Sequence, residues 1–436
     1  MGYKDILLTP IYLVVIYLLM YWYRRRASNP LSKPYFFPAF HLKVVGALAV
    51  GFIYQFYYRG GDTFNFFRDS SIIWEAFLDS PFLGFKVLFA DQQYDAETYP
   101  YVSRIYFYQD GNTRPIIKIS GFLGFFTFHT YSAIALLFAL ICFSGLWALY
   151  QSLIDMYPQL NRSLAVAVFF IPSVFFWGSG LLKDTITLGA LGWAFHAIYF
   201  GLLKRKAIVR NVLILLLMIL LIQSVKVYIL LCFIPAVSLW FFLQYRSQMR
   251  SALLRLLLLP LAFAFALPIG YFAVNKLTEG SRYSLDQVAN TARVTSEWLL
   301  YVSEKQGGSA YSLGELDGTL PNLLSKFPQA VWISLFRPYL WEARNPVMLL
   351  SALEALFFLW ITLRVLWEVR FRFVSIVFAH PFIAFGLIFS IAFAFGTGVS
   401  SYNFGTLVRY KIPLMPFYLS AIYVLRYYNN RSKKLF

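Results

Sequence analysis

Apolar stretches of membrane-crossing length recur along the whole of this 436-residue chain, and clusters of basic residues punctuate them. A transmembrane helix needs about 20 largely apolar residues. Only helices and closed barrels satisfy their own backbone inside lipid. The chain is 59% hydrophobic and 13% charged, with a mean hydropathy of +0.62, against roughly 25% charged residues in a soluble protein. The expectation is an all-α polytopic membrane protein with one membrane domain over 1–436. The first apolar stretch lacks a basic leader and a small-residue cleavage site, so it reads as a retained span. No internal repeat or long linker marks a separate domain.

The net charge of +18 would suit a nucleic-acid partner. Its distribution argues against one: the basic residues lie in short loops between spans, as the positive-inside rule predicts, where they also meet anionic headgroups. Cys142 and Cys232 lie in apolar spans and read as packing residues, with no disulfide framework or thiol metal site. The aromatic content of 20% suits interfacial belts and a cavity facing carbohydrate or lipid.

The first expected span, 7–23, ends in Arg24-Arg25-Arg26, which places the N-terminus outside the cytoplasm. Spans at 41–58, 131–153, 164–177 and 188–203 then alternate, the last meeting Lys204, Arg205, Lys206 and Arg210 on the inside. The apolar stretch 212–243 exceeds one span and carries Gln223, Ser224 and Lys226 at its centre, so it reads as two short spans meeting at an outer turn. Spans at 256–274, 348–366 and 374–395, and a last one from Gly405, bring the total to about eleven, with the C-terminus cytoplasmic. Two large extracytoplasmic loops follow from this, 59–128 and 276–345. In the first, 72–89 reads as an amphipathic helix on the membrane surface and 115–128 as another or as a re-entrant piece. In the second, Gly307-Gly308-Ser309 and Asp317-Gly318 read as turns.

The alternation gathers the polar residues of interest on the outer face. Arg59-Gly60-Gly61-Asp62 stands where the second span surfaces, and its glycines let the backbone turn at little steric cost. An aspartate there can take a proton from an acceptor hydroxyl, bind a divalent metal or orient sugar hydroxyls. Asp62 and Asp184 are therefore the catalytic candidates. Lys183, Lys226, Arg337, Arg409 and Lys411 are candidates for holding a phosphate and the charge that develops as it leaves. Arg59, Asn65, Arg68, Tyr339 and Tyr410 are candidate acceptor or sugar contacts. Plainer readings stand beside these: Asp62 as a turn residue, Lys183-Asp184 as a helix cap, Lys226 as a snorkelling lysine, and Arg337 and Arg409 as headgroup contacts. His41, His129, His196 and His380 are scattered and form no metal-ligand motif. No phosphate-binding loop or dinucleotide fingerprint is present.

Asp62 after an early outward span, Lys183-Asp184 at a later outer turn, and Arg409-Tyr410-x-x-Pro413-x-x-Pro416 near the end together resemble the GT-C type multispanning glycosyltransferases. That group includes bacterial lipid A aminoarabinose transferases and protein mannosyltransferases. The resemblance implies inverting transfer of a sugar from a polyprenyl-phosphate donor to an envelope glycan, lipid or protein acceptor. It implies a location in the bacterial inner membrane and a role for Asp62 in activating or positioning the acceptor. The extra span before Asp62 departs from the usual pattern. An O-antigen polymerase or ligase-like enzyme is the nearest alternative, favoured by the 276–345 loop and Arg337. A transporter of lipid-linked saccharides would line a path from both faces, whereas here the acids lie mostly outside.

Overall fold

The computed structural model describes residues 2–91, 95–248, 287–305 and 309–433. The expected span 256–274, the Gly307-Gly308 turn, the start of the second large loop, and Arg250, Arg255 and Lys434 lie outside the described residues. Among those described, regular structure is helical apart from one isolated bridge, Ala310 to Asn403. The helices are α1 (Tyr3–Ala27), α2 (Phe36–Phe52), α3 (Asp62–Asp79), α4 (Pro81–Phe89), α5 (Tyr99–Val102), α6 (Arg114–Phe126), α7 (Tyr131–Met156), α8 (Asn161–Phe169), α9 (Pro172–Trp177), α10 (Lys183–Ala197) and α11 (Ile208–Gln248). They continue as α12 (Val288–Lys305), α13 (Leu320–Ser325), α14 (Phe327–Phe336), α15 (Pro346–Val369), α16 (Phe373–Ala379), α17 (Pro381–Ser401), α18 (Phe404–Tyr410) and α19 (Met415–Lys433). Seven helical stretches among the described residues are long and apolar enough to cross a membrane.

The boundaries differ from the expected spans where proline intervenes. Residues 164–177 form two short helices, α8 and α9, that part at Phe170-Ile171 before Pro172. Proline lacks an amide donor and pushes the preceding residue out of helical geometry. The same cause separates α16 from α17 at His380-Pro381, inside the expected span 374–395. The final stretch is split into α18 and α19. The long α11 stays helical on both sides of Lys226, which itself leaves helical geometry at φ −147° and ψ 73°. The break falls within the expected turn.

The chain divides into two units: Met1–Asn161 with Val174–Lys226, and Arg162–Ser173 with Val227–Phe436. In the first, α7 is the centre and is buried on most of its surface. Asp5 accepts from the Ser132 amide at 2.8 Å, and Trp147 Nε1 donates to the Ala27 carbonyl at 2.9 Å, so α1 runs parallel to α7. Phe36 meets Trp147 and Phe40 meets Phe143, so α2 runs antiparallel. Trp193 bonds Ser144 and Tyr199 bonds Asp155, so α10 is parallel to α7. Gly145, Gly189 and Gly192 bring α7 and α10 backbone to backbone: a Cβ on Gly145 would overlap the Gly189 carbonyl, and one on Gly192 the Gly145 carbonyl. Small residues permit such approach where van der Waals packing must hold helices together. This register puts Arg24 to Arg26 and Lys204 at one end of the unit, and Lys183 and the Lys226 break at the other.

The second unit sorts its charges similarly. Tyr418 meets Phe358 and Thr362, and Arg426 pairs with Glu368 at 2.8 Å, so α15 and α19 run parallel. Phe389 packs on Phe417 and His380 stacks on Tyr428, so α17 is antiparallel to α19. Arg364, Glu368 and Arg426 therefore share one end, and Arg337 and Lys411 lie towards the other. Helix α14 packs closely on α17, where Gly398 sits beneath the Ala330 carbonyl and Ser334 Oγ donates to the Ala394 carbonyl at 2.7 Å.

Candidate functional site

In the first unit, α2 continues into one wide π turn, Ile53–Tyr57, and the Gly60 amide closes back on the Tyr54 carbonyl at 2.9 Å. Gly60 and Gly61 take φ of +143° and +117°, and a Cβ on Gly61 would lie 2.8 Å from the Tyr54 ring. That is why the turn requires glycine. The Gly61 carbonyl then accepts from Phe64 and Asn65 at 3.1 and 3.0 Å, which starts α3 with Asp62 at its first position. Asp62 is half-buried and sits in the favourable field of the helix start.

Among the described residues, Asp62 stands in a charged group with Lys183, Asp110, Asp184 and Lys226. Lys183, the first residue of α10, lies 3.5 Å from Asp110 and 6.0 Å above the Phe66 ring of α3. It interacts electrostatically with Asp110, Lys226 and Asp62. Asp184, 0% exposed, bonds directly to Lys226 at the break in α11. Asp110 sits on the turn before α6, where it also accepts from the Asn112 amide at 3.1 Å and from the Thr113 hydroxyl. Burial raises its carboxyl, but the Thr113 and Lys183 contacts prevail and hold it below the usual carboxylate range.

The other first-unit candidates stand nearby in sequence but play separate parts. Arg59 is exposed with φ +55°, and Asn65 is half-buried. Arg68 is exposed, 3.9 Å from Asp69, which is buried and accepts from the Phe107 amide at 2.9 Å. Burial pushes the Asp69 carboxyl up, partly offset by that amide. His129 is buried between the Phe67 and Trp74 rings with Nε2 3.1 Å from Ser70 Oγ. Burial, aided by the Lys4 charge, lowers its pKa to about 4.

The second unit holds the remaining candidates. Arg337 follows α14 and forms a two-point pair with Glu342, while covering the Phe404 and Tyr339 rings at 5.0 and 5.5 Å. Burial raises the Glu342 carboxyl, but Arg337 and the Tyr339 amide outweigh it and hold it below the ordinary range. Tyr339 stacks on Trp341 and accepts from Trp332 Nε1 at 2.7 Å. Lys411 is buried and donates to the Ser334 and Arg337 carbonyls at 3.0 and 3.3 Å. It also interacts electrostatically with Glu354, a buried acid in α15 that accepts from the Ser173 amide and hydroxyl at 2.7 Å each. Arg409 is buried and Tyr410 half-buried on α18.

The structure thus brings Asp62, Lys183, Asp184 and Lys226 together, and Arg337, Tyr339 and Lys411 together. Asp110, Glu354 and Lys43 carry no role in the sequence reading. Asp110 precedes Thr113-Arg114-Pro115, a helix-start signature. Glu354 and Lys43 are ionisable residues inside apolar spans, which alone is a signal. Lys43 is buried and donates to the Val174 and Gly178 carbonyls at 3.1 and 2.8 Å. The histidines remain apart: His41 bonds Tyr17 and His196 bonds Ser152. Among the described residues, no three His, Cys, Asp or Glu gather as a metal site.

Fold and charge distribution define an all-α, multispanning membrane protein. Comparison with protein-family models, with curated proteins and with solved structures gives no match.

Proposed function

We propose that this protein is a membrane glycosyltransferase that moves a sugar from a polyprenyl-phosphate donor to an envelope glycan, lipid or protein acceptor. The observation that carries the reading is Asp62, part-exposed and in electrostatic reach of Lys183. A general base and a phosphate-binding cation are what such a transfer needs side by side. Asp62 accepts the acceptor's proton, and Lys183 stabilises the phosphate as it leaves. Asp184 serves through Lys226, holding the start of α10 and the break in α11 in place. The charged end faces away from the cytoplasm of a bacterial inner membrane, because the arginine and lysine clusters occupy the opposite end of the unit.

The test is transfer from radiolabelled polyprenyl-phosphate sugars to a membrane extract, with purified wild type and Asp62→Asn in parallel. Loss of transfer in an equally folded variant supports the reading, and unchanged transfer removes Asp62 from it. If no monosaccharide donor works but preassembled lipid-linked repeats are joined, the protein is a polymerase of the O-antigen type.

A further inference from the structure

Two lysine–aspartate pairs lie in the same charged group and differ in their contact with solvent. The side chains of Lys226 and Asp184 are 7% and 0% exposed. Those of Lys183 and Asp110 are 19% and 34% exposed, with 3.5 Å between them. Parting a buried pair strands a charge in a poor solvent, whereas a half-solvated pair contributes little and exchanges readily. Asp110 also has somewhere to go. The Asn112 amide and the Thr113 hydroxyl already bond its carboxylate, so it stays satisfied when Lys183 turns away. While Asp110 is on Lys183, its carboxylate opposes an incoming phosphate.

We propose that Asp110 is a placeholder: on Lys183 it occupies the position of the substrate phosphate, and it gives that position up when the phosphate binds. This rests on reading the site as one that recognises a polyprenyl phosphate. In the transfer, the acceptor oxygen bonds to the anomeric carbon and that carbon's bond to the phosphate oxygen breaks. The electron pair stays on the phosphate, and the acceptor's proton passes to Asp62. The phosphate thereby goes from one negative charge to two. A lysine released from its carboxylate meets that second charge as it forms, so the exchange favours the leaving group over the intact donor.

The experiment measures binding of radiolabelled polyprenyl phosphate to the full-length protein in detergent, by equilibrium filtration. Asp110→Asn should bind about fivefold tighter than wild type. Asp110→Glu, which keeps the charge, should stay within about twofold of wild type. Lys183→Met should lose about tenfold or more. Unfolding midpoints taken alongside confirm that each variant is folded, and the Asp110→Glu protein controls for the helix start at α6. Binding in Asp110→Asn that equals or falls below wild type overturns the placeholder, as does indifference to Lys183→Met. Competition by inorganic phosphate places recognition in the phosphate itself and supports the exchange. Equal competition by phosphatidylglycerol assigns the exchange to a bilayer headgroup and overturns the substrate assignment. Tightening in Asp110→Asn without sugar transfer from any donor keeps the exchange and removes the transferase reading.

Discussion

The charged ends of the two units use the same residue types in different ways. In the first, Lys183 faces a carboxylate that is itself partly in solvent, and Asp62 stands beside it half-buried. In the second, Lys411 is bound to two backbone carbonyls and Arg337 is held at two points by Glu342. A cation bound to backbone fixes a chain, while a cation bound to a solvated carboxylate can change partner. On the proposed function the first end carries the chemistry, while the second braces the segment between α14 and α15.

The largest test of that contrast pairs Asp62→Asn with Glu342→Gln. Asp62→Asn should lower transfer by about 10²–10⁴-fold and leave the unfolding midpoint unchanged. Glu342→Gln should lower the midpoint and retain measurable transfer, so equal losses of transfer would erase the distinction.

Next comes Lys226→Met, which takes from the buried Asp184 the cation it bonds, at a cost of about 3–5 kcal/mol. Thermal unfolding in detergent should show the loss, and adding Asp184→Asn should recover much of it. Full stability in the single variant would mean the pair braces nothing.

Acid should loosen α3 and α6 before α14. His129 is depressed from 6.5 to about 4 in the fold. Its contribution is therefore complete above pH 6.5 and is lost as the pH falls towards 4, amounting to about 2 kcal/mol by pH 5. Glu342 and Asp110, both below the ordinary carboxylate range, keep their contributions until more acid pH. Hydrogen exchange at pH 7 and pH 5, each referred to the intrinsic rate at that pH, should show protection falling in α3 and α6 but not in α14, and His129→Gln should abolish the difference.

The smallest effect is expected from Lys411→Met added to Glu354→Gln, where no buried acid faces the lost cation and only the donor to the Ser334 and Arg337 carbonyls goes, at a cost of about 1–2 kcal/mol. Unfolding should register it, while the KM for donor should not move. A raised KM would bring the second unit into donor binding.

Helical class and the sorting of charge by ends were legible in the sequence because both are written in composition and spacing. Lys226 was also legible, since a lysine inside an overlong apolar stretch has few places to sit. The short helices were harder: Pro172 and Pro381 interrupt apolar runs whose composition is continuous across them. Asp62 and Lys183 stood out by position, but Asp110 did not. Its link to Lys183 spans 73 residues, and nothing local reveals which acid of a polar segment a distant lysine will meet. Glu354 carried a signal as an acid inside an apolar span, but its partner Ser173, 181 residues away, was hidden the same way.

The glycine seam between α7 and α10 has a bearing on permeation. Backbones pressed together at Gly145, Gly189 and Gly192 act as a gasket. The seam leaves no room between these two helices for a file of water or a prenyl tail. A methyl group added at Gly189 would press on the Cys142 backbone 2.9 Å away, so Gly189→Ala should lower the unfolding midpoint and, as the helices part, raise proton leak in reconstituted vesicles.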